Sequence, residues 1–109
     1  MSDKIEKLSD AIRIGAKSGG QLYYKLLDNS HNSCAMGAAY IAVFPDITET
    51  DCIKIDTHKK IQNQLQTDEL VMHPIRKWKC HLTIIVVDLN NTYRWTREQI
   101  ADWLESIGH

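Results

Sequence analysis

The sequence predicts a mostly α-helical, compact single domain of four or five helices that spans residues 1–109. Three observations lead to this expectation. A chain of 109 residues has room for one hydrophobic core and not for a second domain. Apolar residues recur at spacings of three and four in several segments, which is the period of a helix. Glycine, proline and short polar runs stand between those segments, where helices end.

The first predicted helix lies near the start of the chain. Asp3 followed by Glu6 resembles a capping box, and the glycines of residues 18–20 supply the expected end. Between them, one helical face carries Ile5, Leu8, Ala11, Ile12 and Gly15. A short helical turn is expected over residues 22–27, and a polar loop follows it up to Ser33.

The stretch CAMGAAYIAVF predicts the central buried helix. Ser33 is its expected cap, and Pro45 is expected to end it. Most of its residues are small, so a neighbouring backbone can approach closely. Glycine costs about 1 kcal/mol of helix propensity relative to alanine, and we therefore expect Gly37 to lie at such a close contact.

In two segments the sequence pattern fits both a helix and a strand. Over residues 46–66, a possible Thr48–Asp51 cap favours a helix, as do four residues at i+4 steps, namely Ile53, Thr57, Ile61 and Leu65. Residues 52–56 alternate as a short strand would. Residues 67–79 are expected to be a loop.

The segment from Cys80 to Leu89 is rich in β-branched residues, which favour a strand. It also places Leu82, Ile85, Val86 and Leu89 on one helical face. A helix is preferred for both ambiguous segments, and a small β-hairpin between about 52 and 87 is the main alternative.

The last predicted helix is the clearest one. Thr96 is its expected cap, and its apolar stripe consists of Ile100, Trp103, Leu104 and Ile107. Gly108 stands where a C-terminal capping glycine belongs. Trp95 could pack against the first turn of this helix as a hydrophobic staple.

Composition narrows the classes of function. The chain has 13 basic and 14 acidic side chains, whereas nucleic-acid-binding proteins usually have a basic excess. The charged N-terminus lacks an apolar signal segment, and the apolar run of residues 84–87 is far too short to span a bilayer. We therefore expect a soluble, cytoplasmic protein without membrane contact. The three cysteines, Cys34, Cys52 and Cys80, are expected to be buried free thiols.

A DNA-associated transcriptional regulator is the main alternative function. Residues 82–107 could form a two-helix unit whose turn is Asn90-Asn91-Thr92 and whose helix 96–107 reads DNA. Arg94 and Arg97 would then contact phosphates. Asp102 and Glu105 lie on the exposed side of that helix, where they would repel the phosphates.

A small zinc-binding or cysteine-dependent protein is a weaker alternative. The pairs His31–Cys34 and Cys80–His81 could supply the four ligands of a zinc site. Cys34 at a helix N-terminus could also be a reactive thiolate with His31 as its base. No second signature supports either chemistry, so we expect no catalytic residue, no metal and no cofactor.

Three segments resemble parts of small uncharacterised bacterial and phage-type proteins. Residues 88–105, DLNNTYRWTREQIADWLE, are similar to a segment of the form LNDxxxWTREQIADWLE. SCAMGAAYIA resembles a SCALGAA stretch, and LSDAIRIGA is also similar. Many of these proteins carry a CxxC pair and a His that suggest a small zinc site. This chain has only Cys80, and has Asp88 and Tyr93 where that His is expected. The resemblance implies no known activity.

Aromatic and arginine residues are concentrated late in the chain, and such residues dominate protein-binding hot spots. The predicted partner-binding residues are Tyr93, Arg94, Trp95, Arg97, Arg76 and Trp78. The favoured function is therefore a non-enzymatic protein-interaction or accessory protein. Its partner would be another protein or a second copy in a homodimer.

Overall fold

The structure is a computed structural model, and it describes residues 5–109. In that range the chain forms five α-helices and one antiparallel hairpin, so the predicted helical fold with a small hairpin is confirmed. The elements in order are α1 (Leu8–Ala16), α2 (Ala35–Val43), α3 (Ile55–Leu65), β1 (Leu70–Met72), β2 (Lys79–His81), α4 (Leu82–Asn91) and α5 (Arg97–Ser106). No helix among these is long and apolar enough to cross a bilayer.

Helix α2 is the centre of the core, as its small residues predict. Every residue from Ala35 to Ile41 is buried, and α1 packs along it. A Cβ atom on Gly15 of α1 would lie 1.7 Å from the carbonyl oxygen of Ala38. A Cβ atom on Gly37 would lie 1.7 Å from the carbonyl oxygen of Leu26. The expected close contact at Gly37 is therefore confirmed, and a second one occurs at Gly15.

The ends of α1 and α2 differ slightly from the expectation. Asp3, half of the predicted capping box of α1, lies outside the described residues, and Lys7 at the N-cap makes no side-chain capping bond. Cys34, rather than Ser33, caps α2, because its Sγ accepts a hydrogen bond from the Gly37 N–H at 3.4 Å. Helix α2 ends at Val43, two residues before Pro45, as predicted.

The prediction of a helical turn over residues 22–27 is wrong. The chain there is irregular, and its backbone groups bond across the loop instead of four residues back. The N–H of Leu22 donates to Ser33 O at 2.9 Å, and the N–H of Cys34 donates to Leu26 O at 3.0 Å. These long-range bonds override the local helical pattern.

Helix α3 begins later than the pattern predicts. Thr48 and Asp51 do form the expected reciprocal bonds, with the Asp51 N–H 3.1 Å from Thr48 Oγ1 and the Thr48 N–H 3.2 Å from Asp51 Oδ2. Asp51 is the first residue of a 3₁₀ turn over Asp51–Ile53, and α3 starts only after this turn. The 3₁₀ turn breaks the phase of the apolar stripe. As a result, Ile53 is 79% exposed, whereas Ile61 and Leu65 are buried.

The ambiguous segment from Cys80 to Leu89 contains both predicted structures. Its first two residues pair with β1, which lies in the expected loop, and α4 begins at Leu82. The predicted helical face of Leu82, Ile85, Val86 and Leu89 is fully buried. A strand needs a partner along its whole length, and β1 supplies one for only three residues.

Helix α5 closes the core as its sequence predicts. Thr96 and Gln99 form a complete capping box, and Gly108 has a φ of 88°. Ile100 and Leu104 are fully buried, whereas Trp103 is half-buried, so the stripe is narrower than expected.

One arginine ties the outer faces of α1 and α5 together. Arg13 donates hydrogen bonds to three carboxylates spaced along α5, namely Glu98 at 2.7 Å, Asp102 at 2.6 Å and Glu105 at 2.5 Å. These bonds raise the pKa of Arg13, with Glu98 contributing most. The exposed polar side of α5 is therefore linked to α1 by ion pairs.

A buried asparagine joins three parts of the chain. Asn90 is fully buried, and its Oδ1 accepts from Gln21 Nε2 at 2.8 Å and from the Ala35 N–H at 3.1 Å. Its Nδ2 donates to Leu22 O and to Asn91 Oδ1, both at 2.9 Å. All four bonding positions of the amide are used. The predicted turn at Asn90-Asn91-Thr92 is wrong, because α4 continues through Asn91.

We expect Gly37→Ala to destabilise the protein by at least about 2 kcal/mol, because the added methyl overlaps a backbone carbonyl that cannot rotate away. Urea unfolding measures this loss. Gly20→Ala is the matched control, since its Cβ would meet only Asn32 Oδ1 at 3.5 Å. Equal stability of the two variants would contradict the close contact.

We expect Asn90→Ala to cost about 2–4 kcal/mol, because it leaves Leu22 O and the Ala35 N–H buried without their partner. Asn63→Ala, at an exposed position of α3, is the control and should change stability by less than about 0.5 kcal/mol. Chemical denaturation of both variants tests this. A loss below 1 kcal/mol for Asn90→Ala would argue against its role.

Candidate interaction surface

The predicted site residues divide into two groups around the turn that joins α4 and α5. Tyr93 is half-buried and Arg94 is exposed, and each contacts residues from a different loop. Trp95 and Arg97 turn toward the protein body instead. The turn therefore exposes Arg94, holds Tyr93 half-buried against the core, and anchors itself with Trp95 and Arg97.

On one side of the turn, the hairpin loop packs against Tyr93. The guanidinium carbon of Arg76 lies 5.5 Å from the centroid of the Tyr93 ring, within cation–π range. The ring of His73 lies 5.9 Å from that of Tyr93 and 5.6 Å from that of Trp78. Trp78 itself is 44% exposed. Three predicted residues, Arg76, Trp78 and Tyr93, are thus brought together around a histidine that sequence reasoning missed.

The side chain of His73 is fully buried, and both ring nitrogens are occupied. Nδ1 accepts hydrogen bonds from the N–H groups of Ile75 at 3.1 Å and Arg76 at 3.0 Å. Nε2 therefore carries the proton and donates to Asp88 Oδ2 at 2.8 Å. His73 fixes the hairpin loop to α4 and has no nitrogen left to act as a general base. The sequence feature that could have indicated this histidine is the His73-Pro74 pair, which lies between two apolar segments.

Asp88 anchors this side of the surface. It also accepts a bond from Arg76 Nε at 3.0 Å. Partial burial raises the pKa of Asp88, but hydrogen bonds from Arg76, Thr92 and His73 together outweigh that effect, so the pKa is lowered overall. The folded state therefore favours the charged carboxylate.

On the other side of the turn, Arg94 stacks on two tyrosines that sequence reasoning missed. Its guanidinium carbon lies 4.0 Å from the centroid of the Tyr23 ring and 5.7 Å from that of Tyr24. The Tyr24 N–H donates to Asn91 Oδ1 at 2.8 Å, and Tyr24 is 73% exposed. The two tyrosines were missed because the sequence pattern assigned them to a helical turn.

The backbone at this surface is strained. Tyr24, Lys77 and Arg94 have φ values of 62°, 60° and 57°, a region that L residues with bulky side chains rarely adopt. Such strain costs of order 1–3 kcal/mol per residue and is concentrated at functional sites in proteins. Five non-glycine residues in the described range have positive φ, and three of the five lie at this surface or directly beside it.

We call this region the aromatic–arginine surface. It consists of Tyr23, Tyr24, Arg76, Trp78, Tyr93 and Arg94. Arg76 is paired with Asp88, whereas Arg94 and the neighbouring Lys77 and Lys79 form no ion pair with any residue in the range 5–109. The surface therefore carries an excess of positive charge.

Arg97 and Trp95 hold the framework beneath the surface. Arg97 Nη2 donates to Gly19 O at 2.7 Å, and Nη1 donates to Ser33 Oγ at 3.2 Å. Burial lowers the pKa of Arg97. Trp95 is half-buried against the core, and its carbonyl oxygen accepts from Gln21 Nε2 at 2.9 Å. Both residues join α5 to the loop after α1.

The cysteines and histidines predicted for chemistry have structural surroundings. Cys34 and Cys52 are buried and Cys80 is half-buried, all as free thiols. Burial raises the pKa of Cys34, which opposes formation of a reactive thiolate. His31 Nε2 lies 3.0 Å from Ile47 O. Within the described part of the chain, no group of three or more His, Cys, Asp or Glu side chains is placed to hold a metal.

Comparison with protein families, with curated proteins and with solved structures finds no match.

We expect Asp88→Asn to lower stability at pH 7 by roughly 1–2 kcal/mol, because charge-assisted bonds to Arg76 and His73 are lost. The lowered pKa of Asp88 means that its contribution is present above its unfolded pKa of about 3.9 and disappears as pH falls through the folded value. The gap between wild type and variant should therefore shrink below about pH 4.

Urea unfolding at pH 7, 4 and 2.5 measures the gap. Asp46→Asn is the control, because Asp46 is exposed and makes no ion pair within residues 5–109. A gap for Asp88→Asn that stays constant with pH would contradict the assigned role.

Proposed function

We propose that this protein is a non-enzymatic interaction protein that binds a partner protein through the aromatic–arginine surface. The observation that carries the proposal is the clustering of tyrosine, tryptophan and arginine side chains on both sides of one turn. Tyr24, Trp78 and Tyr23 are 73%, 44% and 37% exposed. These residue types supply most of the binding free energy in protein interfaces.

The arrangement of the surface also favours binding. Arg94 already stacks on Tyr23, and Arg76 already lies over Tyr93, so these side chains lose little conformational freedom when a partner binds. The positive charge of Arg94, Lys77 and Lys79 favours a partner surface that carries carboxylates, through faster encounter and better complementarity.

Enzymatic chemistry has weaker support from the described residues. Both nitrogens of His73 are engaged, and the thiol of Cys34 is buried. A nucleophile next to an available base is the usual signature of covalent catalysis, and neither of these residues supplies it.

The DNA-associated alternative is also less well supported. The polar side of α5 presents Glu98, Asp102 and Glu105 around the single cation of Arg13. Three carboxylates against one guanidinium leave this face negative, and phosphates would be repelled. Arg97, which would have contacted the phosphates, donates to backbone carbonyls of the protein itself.

The test compares partner capture by matched double variants. Trp78→Ala with Arg94→Ala removes one exposed ring and one exposed cation from the surface. The matched double variant, Ile53→Ala with Lys59→Ala, removes an exposed apolar side chain just before α3 and an exposed cation on α3. We expect tagged wild type and the α3 variant to retain the same host protein, and the surface variant to lose it by at least about tenfold.

Thermal unfolding of each variant verifies that the fold is kept. Equal capture by both double variants would overturn the proposal. Salt-dependent binding to a labelled DNA duplex that weakens in the surface variant, which lacks Arg94, would favour the DNA-associated alternative.

A further inference from the structure

We propose that the open edge of β1 pairs with β1 of a second copy of this chain, in antiparallel orientation about a two-fold axis at Val71. The proposal does not rest on the aromatic–arginine surface. It follows from the hydrogen-bonding pattern of the hairpin, from the side chains beside its edge and from the charges at its two ends.

The hydrogen bonds at the ends of the hairpin fix its pattern. The N–H of Leu82 donates to Glu69 O at 2.8 Å, and the N–H of His73 donates to Trp78 O at 2.9 Å. Both residue pairs are therefore of the hydrogen-bonded type. Such pairs alternate along an antiparallel ladder with pairs whose backbone groups point outward.

This alternation determines which groups of β1 are open. Val71 and Cys80 lie opposite each other and form a hydrogen-bonded pair. The residues on either side of Val71, Leu70 and Met72, therefore turn their N–H and C=O groups away from β2. No backbone or side-chain hydrogen bond from residues 5–109 reaches those four groups. An edge of this kind is a template for pairing with another strand.

The edge is complementary to itself. With Val71 opposite Val71 of the second copy, Leu70 lies opposite Met72 of that copy, and the reverse holds by symmetry. Each of the two residue pairs can exchange two hydrogen bonds, which satisfies all four open groups on each strand. A two-fold interface requires this reciprocal matching.

The side chains beside the edge are apolar and open to solvent. Leu70 is 59% exposed and Met72 is 49% exposed, and both lie on the same face of the strand. Pairing about Val71 places Leu70 of each copy against Met72 of the other. Cross-strand apolar pairs of this type stabilise antiparallel sheets.

The charges at the ends of β1 favour the antiparallel orientation. Asp68 precedes the strand and Lys77 follows it in the hairpin loop. Both are exposed, and neither forms an ion pair within the described range. Antiparallel pairing brings the end with Asp68 of one copy to the end with Lys77 of the other, whereas parallel pairing would bring like charges together.

The edge of β2 is a poorer candidate. Its outward backbone groups belong to Lys79 and His81. Pairing of β2 with its own copy would place Lys79 opposite His81 of the second copy, so that two basic side chains face each other. Lysine on an edge strand usually prevents such pairing.

Association through β1 alone should be weak. Eight open backbone groups and two apolar side-chain pairs make a contact smaller than the roughly 800 Å² per partner of a stable interface. We therefore expect a dissociation constant between about 10 µM and 1 mM. The dimer forms at high concentration and separates on dilution.

The decisive test combines amide hydrogen exchange with sedimentation of the full chain between about 10 µM and 1 mM, a range set by the expected affinity. We expect exchange at the Leu70 and Met72 amides to slow at least fivefold with concentration, and the mean mass to rise toward that of a dimer. Exchange at Val71, which bonds within the hairpin, should not follow this pattern.

Two variants complete the design. Met72→Pro removes an outward N–H without removing a hairpin bond, and proline is tolerated at such edge positions. Leu70→Lys keeps the backbone and adds a charge to the edge. Each should keep the thermal stability of the monomer and weaken self-association at least tenfold.

A monomeric mass at 1 mM, with exchange at Leu70 and Met72 independent of concentration, would overturn the proposal. So would a dimer that persists in both variants, because it would then use another surface. Protection of the two amides only when a different protein is added would assign the edge to that protein instead of a second copy. Capture of a partner by the aromatic–arginine surface is read separately, through Trp78 and Arg94.

Discussion

The buried amide of Asn90 is the constraint on which the rest of the structure depends. It joins the end of α4 to the first residue of α2 and to the loop after α1. Gln21 extends this network, because its side chain also bonds Trp95 O and the N–H of Arg97. A hydrogen bond in a low-dielectric interior is strong, and a missing one is costly, so the network holds α4 and α5 in one arrangement. The turn between those helices carries the half-buried Tyr93 and the exposed Arg94, which means that a polar cluster in the core determines the geometry of the surface.

The sequence predicts the elements whose signals are local. The capping box at Thr96, the stop before Pro45 and the buried face of α4 all depend on residues within one or two turns. The irregular stretch around Leu22 could not be predicted, because its backbone bonds to Ser33, eleven residues away. The start of α3 was misplaced for a related reason. A 3₁₀ turn has fewer residues per turn than an α-helix, so it shifts the apolar phase without changing the composition.

The candidate surface was predictable only in part. The residues Arg76, Trp78, Tyr93 and Arg94 were predicted. Arg76 contacts Tyr93 directly, whereas Trp78 is linked to Tyr93 through His73. Tyr23 and Tyr24 could not be found, because their position depends on the loop conformation and on the side chain of Asn91. Sequence also could not distinguish Arg94 from Arg97. One points outward and the other inward because carbonyl groups distant in sequence, such as Gly19 O, accept from Arg97.

The burial of the α2 cap gives the chain an internal reporter of its own opening. The Cys34 sulfur bonds the first turn of α2 and is covered by the surrounding core, whereas Cys80 lies half-buried in the hairpin. A thiol-modifying reagent can therefore reach Cys34 only while the centre of the molecule is transiently unfolded, and it can reach Cys80 through smaller fluctuations. The modification rates of the two thiols would therefore distinguish local opening of the hairpin from cooperative unfolding of the core.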